Sequence, residues 1–85
     1  MYQLLFREAF NKSFGKIRDD KIRKQIWKKI KQLEEFAPLG KHLSGQPYWS
    51  IHIEDYRVIY LFFGYENKVE IVDIFSRKHD YRELR

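Results

Sequence analysis

Residues 41–60 read KHLSGQPYWSIHIEDYRVIY, and the way this stretch folds decides how the rest of the chain is arranged. From Tyr48 to Ile53 the side chains alternate, with Trp49, Ile51 and Ile53 on one face and Tyr48, Ser50 and His52 on the other. A period of two is the mark of a strand with one buried face. Tyr56 to Phe63 is rich in aromatic and β-branched residues, and only Glu54 and Asp55 separate the two runs, so the pattern predicts an antiparallel hairpin. In that register Ile53 pairs with Tyr56, and His52 with Arg57. Opposed side chains on one sheet face stand about 5 Å apart at their β-carbons, so an imidazole and a guanidinium meet on the face away from Trp49. The register hangs on the turn. Glu-Asp lacks the Gly or Asn that a type I′ turn favours, and a slip of one residue would move His52 away from Arg57.

On the carboxyl-terminal side, Gly64 to Asn67 reads as a turn and Lys68 to Phe75, KVEIVDIF, as a further strand, which makes an antiparallel meander of three. If Phe63 pairs with Lys68, then Val69, Ile71 and Phe75 share a face with Tyr56, Val58, Tyr60 and Phe62. Asp73 is the misfit in this pattern and needs a hydrogen-bond partner or a place near the strand end, because an unpaired buried carboxylate is costly. The tail, SRKHDYRELR, follows directly and is dense in ionisable groups. In the meander it brings Arg77, Lys78, His79 and Tyr81 to one edge of the sheet.

On the amino-terminal side, Tyr2 to Phe6 is a short apolar strand. Ala9, Phe10, Phe14 and Ile17 then recur at helical spacing up to a loosening at Gly15. Asp19 or Asp20 caps a second helix in which Ile22, Ile26, Ile30, Leu33 and Phe36 form one stripe with Trp27 beside it, and Pro38 and Gly40 mark where it has ended. The predicted class is α+β: an amino-terminal strand, then a two-helix hairpin packed on an antiparallel sheet that ends in the meander, all in one domain over residues 1–85.

Composition bounds what such a domain does. With 85 residues and no cysteine, an ordinary hydrophobic core must hold the fold, and neither disulfides nor a thiolate zinc site is available. No run of about 18 apolar residues occurs. The start, MYQLLFREAF, lacks the basic segment and cleavage site of a signal peptide, so a soluble cytoplasmic protein is expected. The net charge of +5 favours anionic partners. Nine of the seventeen Lys and Arg residues lie between Lys12 and Lys31, a span with only two acids, Asp19 and Asp20. A lysine-rich helix face is often merely solvated, but a cluster of this density attracts phosphate backbone, without base preference and with strong salt dependence. Lys24, Lys28 and Lys31 represent that face among the candidate RNA contacts, joined by Lys41 and Lys78.

No Gly-rich phosphate loop, zinc-protease helix motif or nucleophile elbow is present. His42, His52 and His79 have neither the spacing nor the accompanying carboxylates of a metal site, so no metal or other cofactor is expected. What remains is a set of imidazoles, cations and a tyrosine. RNA strand cleavage asks for such groups: one to take the 2′-hydroxyl proton, one to protonate the leaving oxygen, and cations for the charge on the phosphorane.

The segments LSGQPYWSIHI, DYRVIY and VEIVDIFSRKHDY resemble the second half of the RelE/ParE toxin superfamily, most closely its RelE and YoeB branches, and the likeness of element order extends over nearly the whole chain. The resemblance implies a toxin of a type II toxin–antitoxin system that cuts mRNA on the ribosome, held by an acidic antitoxin. It implies that Arg57 stabilises the cleaved phosphate and that Arg77, His79 and Tyr81 contribute from the tail. The chain departs from the RelE branch in carrying Ser50 and His52 where lysines stand there, so His52 is the substitute candidate for proton transfer. It departs from YoeB-like members in carrying Ala37 at the position of their glutamate. The same superfamily includes ParE proteins, which poison DNA gyrase by binding and have no nuclease site, and an inactive member kept as a binding partner is a third reading. Fold alone does not separate them.

Overall fold

The computed structural model describes residues 1–76. The elements are β1 (Gln3–Phe6), α1 (Glu8–Gly15), α2 (Asp20–Phe36), β2 (Lys41–His42), β3 (Tyr48–Ile53), β4 (Tyr56–Phe63), a 3₁₀ turn (Gly64–Glu66) and β5 (Lys68–Ser76). The strands form one sheet in the order β1-β5-β4-β3-β2. The β3–β4–β5 meander is antiparallel as expected, and β1 joins it parallel to β5, so the sheet as a whole is mixed. The two-residue strand β2 is not among the strands that the sequence pattern predicts, and it pairs antiparallel with β3 at Trp49 and Ser50.

The hairpin register is the expected one, Ile53 opposite Tyr56 and His52 opposite Arg57. The Glu54–Asp55 turn achieves it with Glu54 at φ 52° and Asp55 at negative φ. A positive φ at the first central residue alone matches the type II′ sign pattern, whose twist suits the flanking strands as type I′ does.

Helix α2 is capped by Asp19, whose carboxylate accepts the Lys21 and Ile22 backbone N–H groups at 3.0 and 3.2 Å. Ile26, Ile30 and Leu33 are fully buried against the sheet. Phe36 leaves the expected stripe and is 62% exposed. At 3.6 residues per turn it points about 80° away from the Ile26 direction, whereas Ala37 falls back near that direction. Ala37 accordingly packs against the core. Helix α1 buries Phe10 and tucks Phe14 beside it, with ring centroids 5.3 Å apart.

The helices cover the face carrying Ile51, Ile53, Val58, Tyr60, Val69, Ile71 and Ile74, which with Phe10, Ile26, Ile30 and Leu33 make the main core. Phe75 is not on that face. The β4–β5 register shifts between Ile59 and Tyr60: Tyr60 faces Ile71, Ile59 faces Asp73, and Val72 is the extra residue of a bulge. Beyond the bulge the inward positions change parity, so Ile74 turns to the core while Phe75, opposite Arg57, turns outward. The same shift removes the Asp73 misfit. Asp73 sits half-buried in the outer row with Ile59, and its carboxylate accepts the Ile74 N–H at 2.7 Å. On this outer face Ile59, Val72 and Phe75 form a second, smaller apolar cluster, flanked by Leu43, Tyr48 and Leu61.

Candidate functional site

The outer face next to that small cluster gathers the polar residues of the hairpin. His52 and Arg57 are directly opposed on neighbouring strands, the imidazole exposed and the guanidinium half-buried. One row along, Ser50 is 8% exposed and stands between Ile59 on β4 and Lys41 on β2. Alternation puts Lys41, Ser50, His52 and Arg57 on one face, with Lys41 a diagonal neighbour of His52. Lys41 is exposed and has no ion-pair partner among the described residues.

Lys41 reaches this place because the loop before it is fixed at two points. The Tyr60 hydroxyl accepts the Leu39 N–H at 2.8 Å and donates to the Leu39 carbonyl oxygen. Tyr60 is 0% exposed, and burial pushes its phenol up to about 12, although the hydrogen bond to Leu39 acts in the opposite direction. Gly40 follows at φ 89°, and a β-carbon there would overlap the Ser50 carbonyl oxygen. Only glycine lets β2 approach β3 so closely at this φ.

The other histidine within the described residues is placed elsewhere. His42 pairs with Trp49, its ring 5.1 Å from the indole, while His52 alternates to the opposite face. Arg77, Lys78, His79 and Tyr81 lie outside the described residues.

The basic helix does not act as one surface. Arg23 donates to the Phe14 and Ile17 carbonyl oxygens at 2.6 and 3.0 Å and lies 4.2 Å over the Phe14 ring, so it ties α1 to α2. Lys31 pairs with Glu34 at 2.6 Å and lines a cleft beside β1. Lys24 and Lys28 border a shallow depression with Trp27 and Phe14. Lys28 also lines a groove of about 430 Å³ with Gln25, Lys29, Gln32, His52, Ile53 and Glu54. The structure therefore brings Lys28 to the hairpin end that carries His52 and leaves Lys31 on another side of the helix. Gln25, Lys29 and Gln32 are additions. Their spacing with Lys28 marks one polar ridge of α2 in the sequence, but nothing local says that the ridge faces β3.

The family model of the ParE toxin of type II toxin–antitoxin systems, parDE, matches residues 4–81. Among curated proteins none matches the chain. Among solved structures the chain resembles the toxin–antitoxin complex RelBE of Escherichia coli, at 24% identity and TM-score 0.79 over 93% of this chain and 100% of that one. It resembles the RelB-RelE complex of Methanococcus jannaschii at 22% identity and TM-score 0.75, covering 95% and 99% of the two chains. The chromosomal ParDE system of Pseudomonas aeruginosa follows at 15% identity and TM-score 0.74, covering 89% and 96%. These likenesses carry the fold, and the family match carries the class: the chain belongs to the RelE/ParE superfamily and is a toxin of a type II toxin–antitoxin system.

Proposed function

We propose that this toxin is a ribosome-dependent mRNA endoribonuclease. The observation that carries the reading is the direct pairing of His52 with Arg57 on the outer face, with Ser50 and Lys41 in the adjacent row. The 2′-hydroxyl of the message attacks the adjacent phosphorus as His52 takes its proton. Arg57 holds the equatorial oxygens, where its planar fork matches the charge that builds in the phosphorane. The bond to the 5′-oxygen breaks, that oxygen is protonated, and the products are a 2′,3′-cyclic phosphate and a 5′-hydroxyl. Arg77, His79 and Tyr81 are the proposed sources of the second proton and of further charge, and Lys24, Lys28, Lys31, Lys41 and Lys78 the proposed RNA contacts. An acidic antitoxin, answering the net charge of +5, is the proposed partner in the cell.

A second reading, inhibition of DNA gyrase by binding, is favoured by the ParE name of the matching family. Induced expression with mapping of message ends, run beside a supercoiling assay with purified gyrase, separates the two. The nuclease reading expects cut messages and a loss of cutting of about 100-fold or more in Arg57→Ala. Arg57→Lys should recover part of it, since lysine supplies charge without the fork. An Arg57→Ala chain that stays as toxic as its parent, with no message cut and supercoiling blocked, overturns the nuclease in favour of gyrase binding.

A further inference from the structure

Strand β2 pairs only with Trp49 and Ser50, so among the described strands the β3 edge from Ile51 onward has no neighbour on that side. Helix α2 runs past this open edge, and the space between them is the groove of about 430 Å³. One wall is a single ridge of α2, Gln25, Lys28, Lys29 and Gln32, at i, i+3, i+4 and i+7. The other wall is His52, Ile53 and Glu54, so the groove opens from the residue that faces Arg57. Two ammonium groups against one carboxylate leave a net positive charge. A further feature does not follow from charge: the carboxamide oxygen of Gln25 is buried and accepts no hydrogen bond, the one such side-chain atom among the described residues.

We propose that this groove is a nucleotide subsite for the RNA strand that passes over His52 and Arg57. Lys28 and Lys29 take a backbone phosphate next to the scissile one, and the carboxamides of Gln25 and Gln32 read the edge of the adjoining base. The assignment rests on RNA being the substrate, as proposed above. Single-stranded RNA is recognised through unstacked bases whose edges are hydrogen-bonded by side chains, and a carboxamide offers both a donor and an acceptor for this. The Gln25 oxygen lacks a donor, and an exocyclic amine of adenine or cytosine supplies one when the side chain of this groove-lining residue turns toward the base. Uracil presents a lone ring N–H between two carbonyl oxygens, only one of which the amide N–H can answer, so the other opposes the amide oxygen and weakens the contact. The lysines act on every sequence alike and the glutamines do not, so the groove adds a base preference that a basic helix face alone does not have.

The test uses the whole chain and fluorescein-labelled 2′-O-methyl hexanucleotides of A, C or U, which lack the attacking hydroxyl, followed by anisotropy at several salt concentrations. A and C oligonucleotides should bind about fivefold more tightly than U. Gln25→Met, close in shape, should bring the three within about twofold of one another. Lys28→Gln with Lys29→Gln should weaken all three alike and lower the slope of log affinity against log salt by about 0.7, the share of the one phosphate charge no longer neutralised. Circular dichroism checks that each variant is folded. Equal affinity for all three oligonucleotides, a salt slope indifferent to the two lysines, or displacement of the RNA by inorganic phosphate or a poly-glutamate peptide at equal concentration would each overturn the subsite. Because these oligonucleotides are not cut, the outcome is separate from the nuclease reading. Messages cut without base preference sink the groove alone, and base preference with no message cut sinks the nuclease and leaves the groove as an RNA site.

Discussion

The two faces of the sheet are built from alternate residues of the same strands, yet they are specified in different ways. The inner face meets two helices, and its residues, from Ile51 to Ile74, are apolar wherever they touch α1 and α2. The outer face carries three buried apolar residues, Ile59, Val72 and Phe75, beside a polar row that includes Ser50, His52 and Arg57. Burial of apolar area dictates the first arrangement almost alone, at about 25 cal/mol per Å² removed from water. The second depends on geometry: a bulge at Val72, a turn at Glu54 and a glycine at position 40 decide which groups stand together. Stability and the proposed chemistry are thus written in the same strands at alternate positions, so substitutions on one face should leave the other largely unmoved.

Substitutions on each face put that contrast to the test. Ile30→Ala, at a fully buried inner position, should cost about 2–5 kcal/mol in denaturant unfolding, enough to unfold much of a domain this small. Tyr60 gives a pH-dependent version. Its folded pKa of about 12 lies above the ordinary 10.0, so the neutral phenol's contribution is complete below pH 10 and is lost as pH rises through 12. The loss is about 2–3 kcal/mol in all. Denaturation curves at pH 9 and pH 11.5 should show about 2 kcal/mol of this fall in the parent, and Tyr60→Phe should abolish it. Val72→Ala, in the outer cluster, should cost only about 1 kcal/mol. A value equal to that of Ile30→Ala would mean that the outer cluster is part of one continuous core and that the contrast between faces is wrong. The smallest effect belongs to Glu54→Asn. Asparagine accepts the positive φ more readily, so a stabilisation of about 0.5 kcal/mol is expected from the thermal midpoint, with the His52–Arg57 pairing unchanged.

The inner face is legible in the sequence because its signal is periodic. Ile26, Ile30 and Leu33 on the helix and Trp49, Ile51 and Ile53 on the strand announce their faces through spacing alone, and the hairpin register follows from the length of the turn. Expectation and structure part where one residue breaks a period. Strict alternation from Val69 places Asp73 and Phe75 inside, and the bulge at Val72 reverses both. The sequence does carry a trace of it, since Ile71-Val72 and Ile74-Phe75 are adjacent apolar pairs on either side of Asp73. Phe36 enters the expected stripe on apolarity, although Ala37 has the better angle. The site is half legible. His52 opposite Arg57 is a local consequence of the hairpin, whereas the place of Lys41, the loss of Lys31 to Glu34 and the ridge of α2 against the β3 edge depend on contacts between distant segments.

The phenol of Tyr60 belongs to both faces at once. Its ring is packed in the helix-side core, and its hydroxyl latches the segment that delivers Lys41 to the opposite side of the sheet. The domain thus has a through-sheet latch one oxygen wide: loosening the interior at this point frees a surface cation, and the exchange rate of the Leu39 amide proton with solvent gives a direct clock for that release.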